Sequence, residues 1–111
     1  MTKVGQITYN ASMKTKEEIL NKLKEIKPIL HKDFYIENLG LFGSYARGEN
    51  SDSSDIDILY EYDESKAFSL FTLIDLEDFL TSIFCIKVDL ANKKSLKPDL
   101  RDNILNEVII V

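Results

Sequence analysis

Leu39-Gly40-Leu41-Phe42-Gly43-Ser44-Tyr45-Ala46-Arg47-Gly48 and, seven residues on, Asp55-Ile56-Asp57-Ile58-Leu59-Tyr60 decide the fold. Leu39 to Phe42 reads as a buried strand, and Gly43 ends it where the backbone needs φ freedom and room for a close ligand. Ser44 falls where a helix N-cap would stand, so its hydroxyl and the free N–H groups of the next turn can hold phosphate oxygens. Ile56 to Tyr60 reads as a second strand, entered through Asp55. Side chains alternate along a strand, so Asp55 and Asp57 share one face while Ile56 and Ile58 turn to the core. Two carboxylates side by side repel each other unless a cation joins them, and oxygen-only ligands favour Mg²⁺ or Mn²⁺. The stretch therefore predicts a phosphate cradle beside metal-binding carboxylates, a site for a metal-bound nucleotide.

Upstream, Thr15-Lys16-Glu17-Glu18 is a capping-box pattern that opens an amphipathic helix with Ile19, Leu20, Leu23, Ile26 and Leu30 on one side. Pro28 is expected to kink or end it. The first strand is expected over Ile36 to Phe42. Downstream, Asn50 to Ser54 is the clearest loop, and the second strand should run from Asp55 to Tyr62. Apolar residues at helical spacing from Leu70 to Ile83 predict a crossover helix. A short third strand is expected from Cys85 to Leu90, then a basic turn at Asn92-Lys93-Lys94-Ser95. Pro98 suits the first turn of a last helix running to about Val108, with Leu100, Ile104, Leu105 and Val108 on one face. The pattern predicts an α/β (α+β) domain, a small mixed sheet of three to four strands packed against helices.

With 111 residues, 44% of them hydrophobic and 30% charged, the chain has the make-up of one ordinary globular domain. No run approaches the about 20 apolar residues of a membrane span, and the first residues lack the apolar core of a secretion signal. A cytoplasmic location without membrane contact is the expectation. The net charge is −5, and from Gly48 to Ser65 there are seven acids and no Lys or Arg. Such a stretch repels a long polyanion, which argues against direct nucleic-acid binding; a nucleotide remains compatible, since its metal brings positive charge.

Competing chemistries fit poorly. An EF-hand loop starting at Asn50 or Asp52 would lack its sixth-position glycine, and one starting at Asp52 would also lack its twelfth-position glutamate. A P-loop would need a Gly-Lys-Ser/Thr triplet, and none exists. Cys85 is the only cysteine, set among apolar residues, and reads as a buried inert thiol. His31, also single, reads as a surface residue at a helix end. Tyr45 is expected to be exposed and noncatalytic, and Gly48 to be a helix C-cap. Arg47 suits either a phosphate contact or pairing with a nearby acid. Lys93 and Lys94 suit either a solvated turn or a reach toward phosphates. Asp89 alternates against Val88 and Leu90, which suits either an open strand face or the same cleft as Asp55 and Asp57.

Gly43-Ser44-x-Ala46-Arg47-Gly48 with Ser54-Asp55-Ile56-Asp57-Ile58-Leu59 resembles the signature of the DNA polymerase beta-like nucleotidyltransferase superfamily. Small size and the Ala-Arg-Gly variant resemble its minimal (MNT) branch. The resemblance extends more weakly to Val88-Asp89-Leu90 and Ser95-Leu96-Lys97-Pro98. It implies a minimal nucleotidyltransferase domain over residues 15–111, with residues 1–14 as an N-terminal extension. It further implies that Gly43, Ser44 and Arg47 bind nucleotide and that Asp55, Asp57 and Asp89 form a catalytic carboxylate set for two Mg²⁺ or Mn²⁺ ions, Asp89 also activating the attacking hydroxyl. The implied reaction moves AMP from ATP to a hydroxyl. In the MNT branch the implied acceptor is a tyrosine of a HEPN-type helical ribonuclease toxin, which makes this chain the antitoxin. Two other readings stay open: a small-molecule nucleotidyltransferase of the antibiotic-modifying kind, and a binding module that neutralises its partner by contact.

Overall fold

The computed structural model describes residues 15–111; the N-terminal extension expected at residues 1–14 lies outside them. Helix α1 (Lys16–Phe34) opens on the expected box: the Glu18 N–H donates to Thr15 Oγ1 at 3.1 Å and the Thr15 N–H to Glu18 Oε1 at 2.8 Å. Ile19, Leu23, Ile26 and Leu30 line its buried face. Pro28 does not end the helix, one of the two outcomes its sequence reading allowed. The proline ring is exposed, and so is Lys24, whose carbonyl loses its helical donor, so water can take that place. Ile26 and Leu30 on either side stay in the core and carry the helix on. It stops at Tyr35, which adopts φ 61° and donates its N–H back to the Leu30 carbonyl. His31 lies in the last turn, exposed as expected, with Nδ1 3.1 Å from the Ile36 carbonyl oxygen.

The chain continues as β1 (Ile36–Phe42), short helix α2 (Gly43–Arg47), β2 (Ile56–Tyr62), α3 (Leu70–Phe84), β3 (Val88–Asn92), a 3₁₀ turn (Lys93–Ser95), α4 (Pro98–Glu107) and β4 (Ile109–Ile110). The strands form one sheet in the order β3-β2-β1-β4. β1 is antiparallel to β2 and β4, whereas β2 and β3 run parallel across the α3 crossover. This is the mixed sheet the sequence predicts; β4 is the strand it does not, because only two residues follow the last helix into the ladder.

Alternation then sorts the two faces. Leu39, Leu41, Ile56, Ile58, Tyr60 and Val88 meet Leu23 and Leu30 of α1 and Leu76, Leu80 and Phe84 of α3 in one core. Burying a side chain of this size contributes about 1.5–3 kcal/mol, so this face supplies most of the drive to fold. Asp57 and Leu59 lie on the opposite face, as does Asp89 opposite Asp57.

Two readings near β3 need correction. The strand begins at Val88, not Cys85, because Cys85 adopts φ 57° and ends α3 by donating its N–H to the Thr81 carbonyl at 2.8 Å. At that reversal its thiol is exposed, not buried. In the last helix Leu100 is 49% exposed, so the apolar face narrows to Ile104, Leu105 and Val108. Among the described residues no helix is long and apolar enough to cross a membrane.

Candidate active site

β1 delivers the chain to Gly43 at φ 77°, a conformation that costs any side-chain-bearing residue strain. Space adds a second constraint, since a Cβ on Gly43 would collide with the Asp57 carboxylate. The turn is therefore packed directly onto the carboxylate. α2 begins at Gly43, so Ser44 sits inside its first turn and not at its cap. Phe42 precedes it and offers no capping oxygen. Gly48 closes α2 at φ 72°, donating its N–H to the Tyr45 carbonyl at 3.2 Å, the C-cap foreseen. Tyr45 is 3% exposed and part of the core, not exposed as its variable position in the motif suggested. Its ring seats the short helix on the sheet, and burial, with Asp52 and Asp55 adding, pushes the phenol pKa up.

The three acids come together through the sheet. β2 and β3 pair Asp57 with Asp89 in register, and the Ile56 N–H donates to the Lys87 carbonyl at 2.9 Å, which draws Asp55 to the same corner. The Asp57 carboxyl pKa is pushed up to about 6 by burial first, then by the negative charges of Asp89 and Asp55. Arg47 opposes that rise and Glu107 adds to it. The Lys87 ammonium stands 3.4 Å from Asp89 Oδ1 and 3.8 Å from Asp55 Oδ2, and these acids raise its pKa.

Three carboxylates at one corner, the charges of two of them raising the pKa of Asp57, make a hard-oxygen donor set suited to Mg²⁺ or Mn²⁺. Among the described residues they are not drawn into a closed ligand cluster, and Lys87 takes the place of a counter-cation between two of them. These three are the oxygen donors that could hold such an ion, with Asp55 and Asp89 turned away from Lys87.

Arg47 pairs with acids, one of the two roles its sequence allowed. Its Nε donates to Glu49 Oε1 at 2.9 Å and its Nη1 to Glu107 Oε1 at 3.0 Å. Glu107 Oε2 also accepts the Gly43 N–H at 2.8 Å. Lys93 and Lys94 lie elsewhere: they pair with Glu61 at 3.6 Å and Glu64 at 2.6 Å. They follow Asn92, which is paired with Tyr60, three ladder steps or about 10 Å from Asp57. Sequence reasoning missed Lys87 and Glu107. Lys87 was detectable, being two residues from Asp89 and thus on its face of a strand. Glu107 was not, because it meets the glycine turn across 64 residues of chain.

The chain matches the nucleotidyltransferase domain family over residues 23–111. It is 40% identical over 100 residues to protein adenylyltransferase MntA of Thermococcus cleftensis, covering 90% of this chain and 99% of that protein. A solved structure described as a minimal nucleotidyltransferase superposes with a TM-score of 0.74 at 26% identity, over 88% of this chain and 97% of that one. A chain from the complex of a tri-AMPylated Shewanella oneidensis HEPN toxin with its MNT antitoxin superposes with a TM-score of 0.56 at 26% identity, over 82% of this chain and 68% of that one.

Proposed function

The chain belongs to the nucleotidyltransferase domain family, in its minimal branch, and from that premise we propose that it transfers AMP from ATP to a tyrosine hydroxyl of a HEPN-type helical toxin, acting as its antitoxin. The observation that carries the proposal is the in-register pairing of Asp57 with Asp89 beside a glycine turn that touches Asp57. The relative named protein adenylyltransferase and the AMPylated toxin bound to an MNT antitoxin support the choice of acceptor.

In this reading Gly43, Ser44 and Arg47 hold the β- and γ-phosphates, and Asp55, Asp57 and Asp89 hold Mg²⁺ or Mn²⁺. Such an ion, when bound, neutralises charge on the phosphate oxygens at the attacking and leaving positions. The tyrosine oxygen forms the new bond to the α-phosphorus as the bond to the β-phosphate oxygen breaks, releasing pyrophosphate. Asp89 accepts the hydroxyl proton. Lys87 pairs with Asp89 and holds that side chain in place before substrate arrives. The protein's share of the catalysis is positioning and charge stabilisation, with no covalent enzyme intermediate.

The test combines this protein, a HEPN-type helical toxin, Mg²⁺ and ATP labelled at the α-phosphate. The expected result is label and the mass of AMP on a partner tyrosine, with ribonuclease activity falling in step. Full neutralisation by the Asp55→Ala/Asp57→Ala double variant, without added mass, would instead establish inhibition by contact.

A further inference from the structure

We propose that Glu107 is a positioning residue for nucleotide binding: its one carboxylate holds the Gly43 backbone and the Arg47 guanidinium in the arrangement that receives the phosphates. This rests on the reading of Gly43, Ser44 and Arg47 as the nucleotide-binding residues.

The placement of Glu107 is built into the sheet. β4 pairs Ile110 with Gly40 and Ile109 with Leu41. Carrying that antiparallel register two residues further sets position 107 opposite position 43. The ladder stops, and the carboxylate takes the N–H that a continuing strand would have paired, at 2.8 Å. Phe42 has no oxygen with which to cap α2, so Glu107 provides the acceptor for the first N–H of that turn. Its side chain is only 25% exposed, which shelters both bonds from competing water.

The second oxygen fixes Arg47. A guanidinium offers five N–H donors in a rigid fork. Glu49 takes Nε and Glu107 takes Nη1, which sets the plane of the fork while Nη2 has no hydrogen-bond acceptor among the described residues. Glu107 takes the Gly43 N–H and Nη1 but leaves Nη2 for a ligand.

The experiment is calorimetric titration of MgATP into the wild-type chain and E107Q, with thermal unfolding of both in the absence of nucleotide. Gln keeps the size of Glu and one acceptor but loses the charge, so E107Q should bind MgATP about tenfold more weakly, the scale of one hydrogen bond to a charged group. Amide exchange at Gly43 should quicken in the variant. A lower unfolding temperature with unchanged MgATP affinity would reduce Glu107 to a structural brace and overturn the proposal. Tighter binding by E107Q would make it a competitor of the phosphates and overturn it equally. Absence of MgATP binding by the wild type would instead remove the nucleotide-site reading itself. Should E107Q fail to fold, E107D, which keeps the charge on a shorter stem, is read by the same outcomes.

Discussion

At Asp57, burial and the charges of Asp89 and Asp55 push the carboxyl pKa up to about 6, so ionising it at neutral pH works against folding. The unfolded chain gives up the same proton near pH 4. Below pH 4 both states hold the proton and the carboxyl carries no penalty. The associated stability is lost as pH rises through about 6. Asp57→Asn removes the charge without removing volume, and is expected to abolish transfer while stabilising the metal-free protein at pH 7.5 by about 1 kcal/mol, a figure reduced for the site's open side. Urea unfolding in chelator across pH 4 to 8 checks this. The gap between the two proteins should close toward pH 4, open between about pH 4 and 6 and stay level above that; an offset that persists unchanged down to pH 4 would mean the gain has another source. The acids of this site were legible because alternation marks them on an otherwise apolar strand. The environment of Tyr45 was not, since the motif fixes its neighbours in sequence but not the sheet surface beneath it.

The elements formed largely as their local patterns dictate, and the departures occur where tertiary packing outweighs a local rule. Helix α1 is the clearest case, because a proline in its interior should cost about 3 kcal/mol relative to alanine, yet two buried residues flanking it hold the helix together. Pro28→Ala is therefore expected to stabilise the protein by about 1–2 kcal/mol, part of the gain being offset by a more flexible unfolded chain. Equilibrium urea unfolding measures it, and a destabilised variant would mean that the proline ring itself contributes packing. β3 began later than its apolar run suggested because the left-handed turn at Cys85 ends the preceding helix, a backbone event no composition signals. β4 escaped notice for a related reason. Two isoleucines at a chain end carry no periodicity, and only the exposed edge of β1 makes them a strand.

For the whole molecule, the net charge of −5 and the cluster of acids on one sheet corner oppose compactness. Mn²⁺ at about ten times its dissociation constant should stabilise the fold by about 1.4 kcal/mol, roughly 5–10 °C in Tm for a domain of this size. Scanning calorimetry with and without Mn²⁺ tests this, and Asp57→Asn should shift less. An equal shift in the variant would move the ion away from this corner. Because backbone ladder bonds hold Asp57 and Asp89 on strands about 4.8 Å apart, their separation does not depend on the length of chain between them. The loop ahead of α3 can therefore gain or lose residues between Glu64 and Ala67 without disturbing the pair. One residue removed inside β2 or β3 ahead of its aspartate would instead turn that carboxylate onto the helix-covered face. A deletion scan along the gene should thus find short intolerant windows at the two aspartate-bearing strands, while the loop at residues 64–67 changes length freely.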